Sequence, residues 1–182
     1  MVEEESISML SRDIRLKTPR LVLRPTEPGD AQRMAQIQSN WKVTRMLRLA
    51  PWPATEAAMA EWADLHVQEW AAGTAYRFAV LLDGVMNGAA DIDDIKGDEG
   101  EIGYWFDEPY WGQGFAREAA AALMDFAIQT VKLKRIVAGH NAENPASGAV
   151  LKRLGFHFVG DTLKFSKPQG TEVPYRMYAY DA

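Results

Sequence analysis

The chain predicts an α/β domain built on a largely antiparallel sheet, and three observations carry that expectation. Strand-like and helix-like stretches alternate along the sequence. Two of the strands meet at Asp83-Gly84, a favoured two-residue hairpin turn. The aromatic strand Glu101 to Phe106 is followed by Gly112-Gln113-Gly114, which opens directly into an amphipathic helix. At 182 residues, 47% of them hydrophobic, the chain is long enough to bury one substantial core. No repeat, low-complexity tract or linker divides it, so one domain is expected over residues 15–182.

In order along the chain, residues 1–14 are expected to form a flexible tail, because the start carries three glutamates and lacks the basic opening of an export signal. Arg20 to Arg24 reads as a strand and about Asp30 to Ser39 as a helix. Pro51-Trp52-Pro53 breaks the chain before a second helix from Thr55, a natural cap, to Ala71. Tyr76 to Leu82 and Val85 to Ile92 form the hairpin. Asp107-Glu108-Pro109 ends the aromatic strand, and the helix after the glycines runs to Val131 with Phe115, Ala119, Leu123 and Phe126 on one face. A β-branched strand, Arg135 to Gly139, precedes a short helix in which Asn144 suits the N-cap, Pro145 the first turn and Gly155 the stop. Strands near Phe156 to Thr162 and Tyr175 to Tyr180 complete the order, with Lys164 to Pro174 read as a mobile loop able to cover the site.

Composition excludes several classes. Without cysteine there are no disulfides, thiolate metal sites or thiol nucleophiles. No apolar run approaches membrane-spanning length, so neither a membrane partner nor export is expected and the location defaults to cytoplasmic. A net charge of −5 argues against nucleic acid and suits a cationic acceptor. Asp91, Asp93 and Asp94 could draw that acceptor; lacking the glycine and glutamate of a calcium loop, they read as turn acids, and no metal is expected.

The glycine run is the first motif with chemistry in it. The first turn of a helix leaves backbone N–H groups unpaired at the positive end of its dipole, and glycines let an anion approach them closely. The pattern lacks the Lys-Ser/Thr ending of a nucleoside-triphosphate loop and the third glycine of a dinucleotide fingerprint. The second motif is His140 to Ser147, which leads through Leu151 to Gly155-Phe156.

The two motifs together resemble the GNAT acetyltransferase superfamily. Thr18 to Pro25 and Glu101-Ile102-Gly103-Tyr104-Trp105 further resemble its branch of Rim-type ribosomal-protein N-terminal acetyltransferases, and the resemblance runs from about Leu16 to the end. It implies a single domain with a mixed, mostly antiparallel sheet splayed around its central pair. It also implies acetyl-CoA as co-substrate: the amides of Gly112, Gln113, Gly114, Phe115 and Ala116 would take the pyrophosphate, the Trp105 and Phe106 backbone would pair with the pantetheine arm, and Asn144 and Ser147 would line it.

Two departures from the family pattern bear on mechanism. Trp111 stands where the glycine loop often opens with Gln or Arg, and Leu151 stands where many members carry a tyrosine that protonates the departing thiolate. Ser147, four residues before Leu151 and on the same helical face, is the substitute proton donor; its other reading is a small residue in a first turn. Transfer to an amine also needs a neutral nitrogen, support for the tetrahedral oxyanion and a base. Glu101 is the expected base and acceptor contact, with an exposed strand-edge carboxylate as its other reading and His140 as the alternative base. Trp52, between two prolines, is the expected acceptor-binding aromatic, while Trp62 and Trp70, eight apart, read as core.

The resulting expectation is an N-acetyltransferase that moves acetyl from acetyl-CoA to a protein N-terminal α-amine or a small-molecule amine by direct attack. A non-catalytic acyl-CoA sensor is the alternative, and association into a homodimer is a further expectation.

Overall fold

Alternation of Leu21 and Leu23 with Val22 and Arg24 makes a strand with one buried face, and this strand begins the sheet. The computed structural model describes residues 9–182. Its elements run β1 (Leu16–Lys17), β2 (Leu21–Pro25), α1 (Ala31–Gln38), α2 (Trp41–Thr44), α3 (Glu56–Ala72), β3 (Tyr76–Leu82), β4 (Val85–Lys96), β5 (Glu99–Phe106), α4 (Phe115–Gln129), β6 (Arg135–Asn141), α5 (Pro145–Arg153), β7 (His157–Ser166) and β8 (Thr171–Asp181). Among the described residues no helix is long and apolar enough to cross a membrane.

Eight strands form one sheet in the order β1-β2-β3-β4-β5-β6-β8-β7. Every neighbouring pair is antiparallel except β5 and β6. The β3–β4 turn is the expected hairpin: Asp83 and Gly84 adopt φ of 51° and 79°, the positive values that a two-residue turn of this hand requires. The parallel pair decides the architecture. β5 and β6 bond only from Glu99↔Arg135 to Ile102↔Ala138, after which β5 follows β4 as far as Phe106 and β6 follows β8. The sheet opens into a wedge from Gly103 and Gly139 onward, which is the expected splay.

Each face of the sheet carries its own apolar layer. On one face Phe78, Ile92, Ile102 and Phe106 pack with Phe115, Ala119, Leu123 and Phe126 of α4, so the helical face read from the sequence is the buried one. On the other, Ala79, Ala89 and Trp105 pack with Met34 and Ile37 of α1 and with Met59 and Ala63 of α3. Trp70, 1% exposed, meets Tyr76 and Phe78 edge-on, contacts worth about 0.5–1.5 kcal/mol each beyond area burial. α3 begins as expected, with the Thr55 side chain accepting from the Ala58 amide at 3.1 Å, and ends at Gly73 with φ of 68°.

Two expectations change here. Residues 1–8 of the expected tail lie outside the described residues; of the rest, Leu10 and Ile14 pack against the core, and the Leu10 carbonyl accepts from the Trp70 indole at 2.7 Å. Lys164 to Pro174 is also mostly strand, not loop, with register pairs Leu163↔Pro174 through Ser166↔Thr171 and a turn only at residues 167–170. Pro174 is tolerated because β8 pairs with β6 only from Tyr175 onward, so no ladder bond is lost there.

Candidate active site

A cleft of about 950 Å³ occupies the wedge. Its cofactor-facing half is made of backbone. Gly112 and Gly114 adopt φ of 73° and 83°, and Gly114 is the residue from which α4 starts, so the first-turn amides of α4 face the opening. A side chain added at Gly112 would meet nothing within 4 Å, which leaves the amides open to a bulky anion.

Arg20 holds this loop from behind. Its Nη1 donates to the Gln113 carbonyl at 3.0 Å, its Nε to Glu118 Oε2 at 2.7 Å, and its guanidinium lies 4.2 Å from the Phe115 ring centre. Thr18 Oγ1 and the Arg20 amide both donate to Glu118 Oε1, at 2.5 and 2.9 Å, so the Thr18-Pro19-Arg20 phrase clamps the first turn of α4. Trp111, in the place of the family's Gln or Arg, pins the other end by donating its indole N–H to the Phe106 carbonyl at 2.8 Å.

At the middle of the wedge, Tyr104 Oη lies 2.9 Å from Ser147 Oγ and 3.2 Å from the Ser147 carbonyl. Burial pushes the Tyr104 phenol up to about 12, so it keeps its proton through the physiological range. Leu151 is fully buried in the core behind it. A phenol is thus supplied near α5 after all, from the facing strand. Asn144 caps α5, its Oδ1 accepting from the Ser147 amide at 3.4 Å. His140, the alternative base, also lines the cleft, and its Nε2 has no hydrogen-bond partner among the described residues. Its Nδ1 donates to the Asn141 carbonyl at 2.8 Å, its Nε2 abuts Gly148 so closely that a Cβ there would lie 2.7 Å away, and burial lowers its pKa.

Charge dominates the acceptor-facing half. Strand alternation puts Arg77 of β3, Asp91 and Asp93 of β4 and Glu101 and Gly103 of β5 on the face that carries Ala79, Ala89 and Trp105. Tyr104 points to the opposite face. The Arg77 guanidinium is shared by Glu69 at 2.8 Å, Asp93 at 3.1 Å and Asp91 at 3.5 Å. Burial alone would weaken that guanidinium, but these carboxylates, Asp91 foremost, hold it charged with its pKa above the ordinary value. Burial drives Asp91 up to about 7 and Asp93 upward too, both against the opposing pull of Arg77. Glu101 lies 3.5 Å from Lys164 Nζ of β7.

A strap of residues 42–50 crosses over this floor and lines it. It is tied down by Lys42–Glu108 at 2.5 Å, by Arg45–Glu143, and by the β7–β8 turn, where Lys167 N donates to the Arg48 carbonyl and Gln169 Nε2 to the Arg45 carbonyl, both at 2.8 Å.

Of the residues singled out from the sequence, Glu101, Trp105, Phe106, Gly112, Gly114, Phe115, Ala116, Asn144 and Ser147 all line this one cleft. Gln113 turns away, donating Nε2 to the Pro109 carbonyl at 2.8 Å. Trp52 lies off the lining, its ring 4.8 Å from that of Trp41, while Trp62, expected in the core, is the tryptophan of the early helices on the cleft wall. Tyr104, Arg77, Lys164 and Arg20 escaped sequence reasoning because partners on distant strands and helices define them. Among the described residues no His, Cys, Asp and Glu group could hold a metal ion.

A wedge between parallel strands, faced by the amide-rich start of a helix, is a site suited to an acyl-CoA. Residues 20–157 match the acetyltransferase (GNAT) domain, and the chain belongs to that family. It is an acetyl-CoA-dependent N-acetyltransferase, with acetyl-CoA as co-substrate. It is 32% identical to the uncharacterized N-acetyltransferase p20 of Bacillus licheniformis, over 90% of this chain and 94% of that one. It is 33% identical to the ribosomal-protein-serine acetyltransferase of Escherichia coli over 48% of this chain and 50% of that one. Among solved structures it is similar in fold to a RimL ribosomal L7/L12 alpha-N-protein acetyltransferase in complex with coenzyme A, with a TM-score of 0.82 at 22% identity over 92% of this chain and 98% of that one. A Mycobacterium smegmatis RimJ in complex with a CoA-disulfide also gives 0.82, at 24% identity over 89% and 82%.

Proposed function

We propose that the chain acetylates the α-amine of a protein N-terminus, by direct attack of that amine on acetyl-CoA. The observation that carries this reading is the division of the cleft: a hydroxyl pair, Tyr104 and Ser147, on one face, and a carboxylate floor on the other, joined where β5 and β6 part. The amides of Gly112 to Ala116 take the pyrophosphate, and the free edge of β5 past Gly103 pairs with the pantetheine arm. The amine then enters from the acidic face. There four carboxylates, Glu69, Asp91, Asp93 and Glu101, outnumber the two cations that bridge them, Arg77 and Lys164, so an entering ammonium offsets part of the negative excess. The Tyr104–Ser147 pair donates a hydrogen bond to the developing thiolate. An α-amine fits better than a lysine amine, since its reference pKa of about 7.7–8.0 against about 10.4 makes the neutral nucleophile far easier to reach. Two relatives point the same way, one named for ribosomal-protein serine and one for the L7/L12 α-amine.

The test is thiol release from acetyl-CoA with peptides that begin in Ser or Ala, set against the same peptides with blocked N-termini and an internal lysine, and against spermidine and glycinamide. The free N-termini should be preferred at least about tenfold in kcat/KM. Preference for blocked peptides or for spermidine overturns the α-amine reading, and preference for glycinamide identifies a small-molecule acceptor.

A further inference from the structure

An amine reaches the acidic floor as an ammonium and leaves as a neutral amide, so a proton must be taken up beside it. We propose that Asp91 takes this proton, while Glu101, held by Lys164, binds and orients the amine. The inference rests on the acetyl-transfer reading above.

Position comes first. Ile102↔Ala138 is the last β5–β6 pair, so Gly103 is the first residue of β5 past the junction, and Asp91 is its register partner on β4. The carboxylate therefore stands at the point where the wedge opens. Gly103 leaves it uncovered: a Cβ there would lie 3.1 Å from Asp91 Oδ1. Glu101 sits two residues back, opposite Val137 in the closed part of the pair, with Lys164 3.5 Å away.

Freedom to accept a proton comes second. Of the carboxylates around Arg77, Asp91 makes the longest contact, at 3.5 Å against 2.8 Å for Glu69 and 3.1 Å for Asp93, so its charge faces the guanidinium without a close hydrogen bond. The groups that face it are Arg77 of β3, Asp93 of its own strand, Glu101 of β5 and Glu69 of α3, three acids to one base. Lys164 of β7 and Tyr175 of β8 stand beyond Glu101, with Lys164 Nζ 5.8 Å from the Tyr175 ring centre, and Arg48 of the strap lines the same cleft. Burial and the neighbouring acids raise Asp91 to about 7. Passing a proton to it from an α-ammonium is then only about tenfold unfavourable, whereas a carboxylate at the reference 3.9 would be about ten-thousandfold unfavourable and a lysine ammonium more than about a thousandfold even toward Asp91.

The proton balance closes. The ammonium loses one proton to the Asp91 carboxylate, which returns it to water through the cleft. The nitrogen lone pair forms the C–N bond with the acetyl carbon, and the C–S bond breaks with its electron pair on sulfur. The second proton shed by nitrogen balances the one the thiolate takes up, so each turnover releases one proton.

Two measurements on the full chain saturated with acetyl-CoA test the proposal. The first follows the aspartate side-chain carboxyl carbons by NMR as pH is varied. A carboxyl titrating near 7 that vanishes in Asp91→Asn supports it, and all aspartates titrating below about 5 overturn it. The second compares kcat against pH for the parent, Asp91→Asn and Glu101→Gln, with a Ser-initiated peptide as acceptor. Asp91→Asn should lose about a hundredfold at neutral pH and recover steadily as pH rises, while Glu101→Gln should raise the acceptor KM and keep the form of the parent's profile, displaced slightly to lower pH because one acid that raises Asp91 is gone. An Asp91→Asn profile parallel to the parent's, or loss of the neutral-pH rate in Glu101→Gln instead, overturns the assignment. A parent chain that binds acetyl-CoA but acetylates no amine overturns the acetyl-transfer reading itself. The overturning outcome, all aspartates titrating below about 5, is read on the unaltered chain and stands even if the substituted chain fails to fold.

Discussion

The glycine loop presents backbone amides from five consecutive residues, Gly112 to Ala116, whereas the acceptor floor is assembled from side chains that run from Glu69 of α3 to Lys164 of β7. The first is a local construction. Two positive-φ glycines and a helix start are enough to make it, and Arg20 only steadies it. The second exists only when four strands and a helix are in register, because Glu69, Asp91 and Asp93 share one buried guanidinium and Glu101 meets Lys164. A loop made of local backbone is therefore robust to changes elsewhere, while a floor made of distant side chains depends on long-range packing.

The largest expected break is on the local side. Gly114→Val forces a β-branched residue to φ of 83° and brings its Cβ to 3.4 Å from Arg20 Nη2. Acetyl-CoA affinity should fall about a hundredfold, roughly 2.7 kcal/mol, with little change in acceptor KM. Thermal-shift titration with acetyl-CoA measures it, and equal losses for both substrates would mean the halves are one unit. Next come Tyr104→Phe and Ser147→Ala. Each should lower kcat about 10–100-fold and leave KM for acetyl-CoA unchanged, and the double variant should be no slower than the worse single one, because the hydroxyls act as a pair.

Arg20→Gln should cost less, raising KM for acetyl-CoA about tenfold at unchanged kcat, since the loop loses its clamp but not its amides. The remaining tests read stability. Asp91 has a folded pKa raised to about 7, so its contribution is complete below the unfolded value of about 3.9 and is lost as pH rises through about 7. His66, buried against Thr26 and depressed to about 3, acts oppositely: its contribution is complete above about 6.5 and is lost as pH falls. The two slopes oppose each other between about 4 and about 6.5, so the readout is the difference in Tm between Asp91→Asn and the parent. That difference should move in favour of the variant as pH rises from about 5 to about 8, and a pH-independent difference would remove Asp91 from the titrating set. The smallest effect belongs to Arg45→Gln, which breaks an exposed pair on the strap and should cost under about 1 kcal/mol.

What could be read early was whatever a short stretch of chain determines. The helix after Gly114 buries the face its periodicity announced, Asp83-Gly84 turns the hairpin, Thr55 caps α3, and Asn144 caps α5. Leu151 illustrates the opposite case. Its place in the motif correctly said that no acid comes from that position, but the phenol that faces Ser147 comes from Tyr104 on another strand, 43 residues upstream. Trp62 and Trp70 share a helical face, yet α3 spans both apolar layers, so one ends in the core and the other on the cleft wall.

The amino-acid sequence by itself determined the family, the order of the main elements and the glycine loop at the start of α4, because helix starts, turns and hydrophobic periods are set by residues within a few positions of one another. Only the tertiary structure decided where β5 leaves β6, which hydroxyl joins Ser147 and which carboxylate stands at the opening. Those depend on register across the sheet and on burial, and both come from residues far apart in the chain.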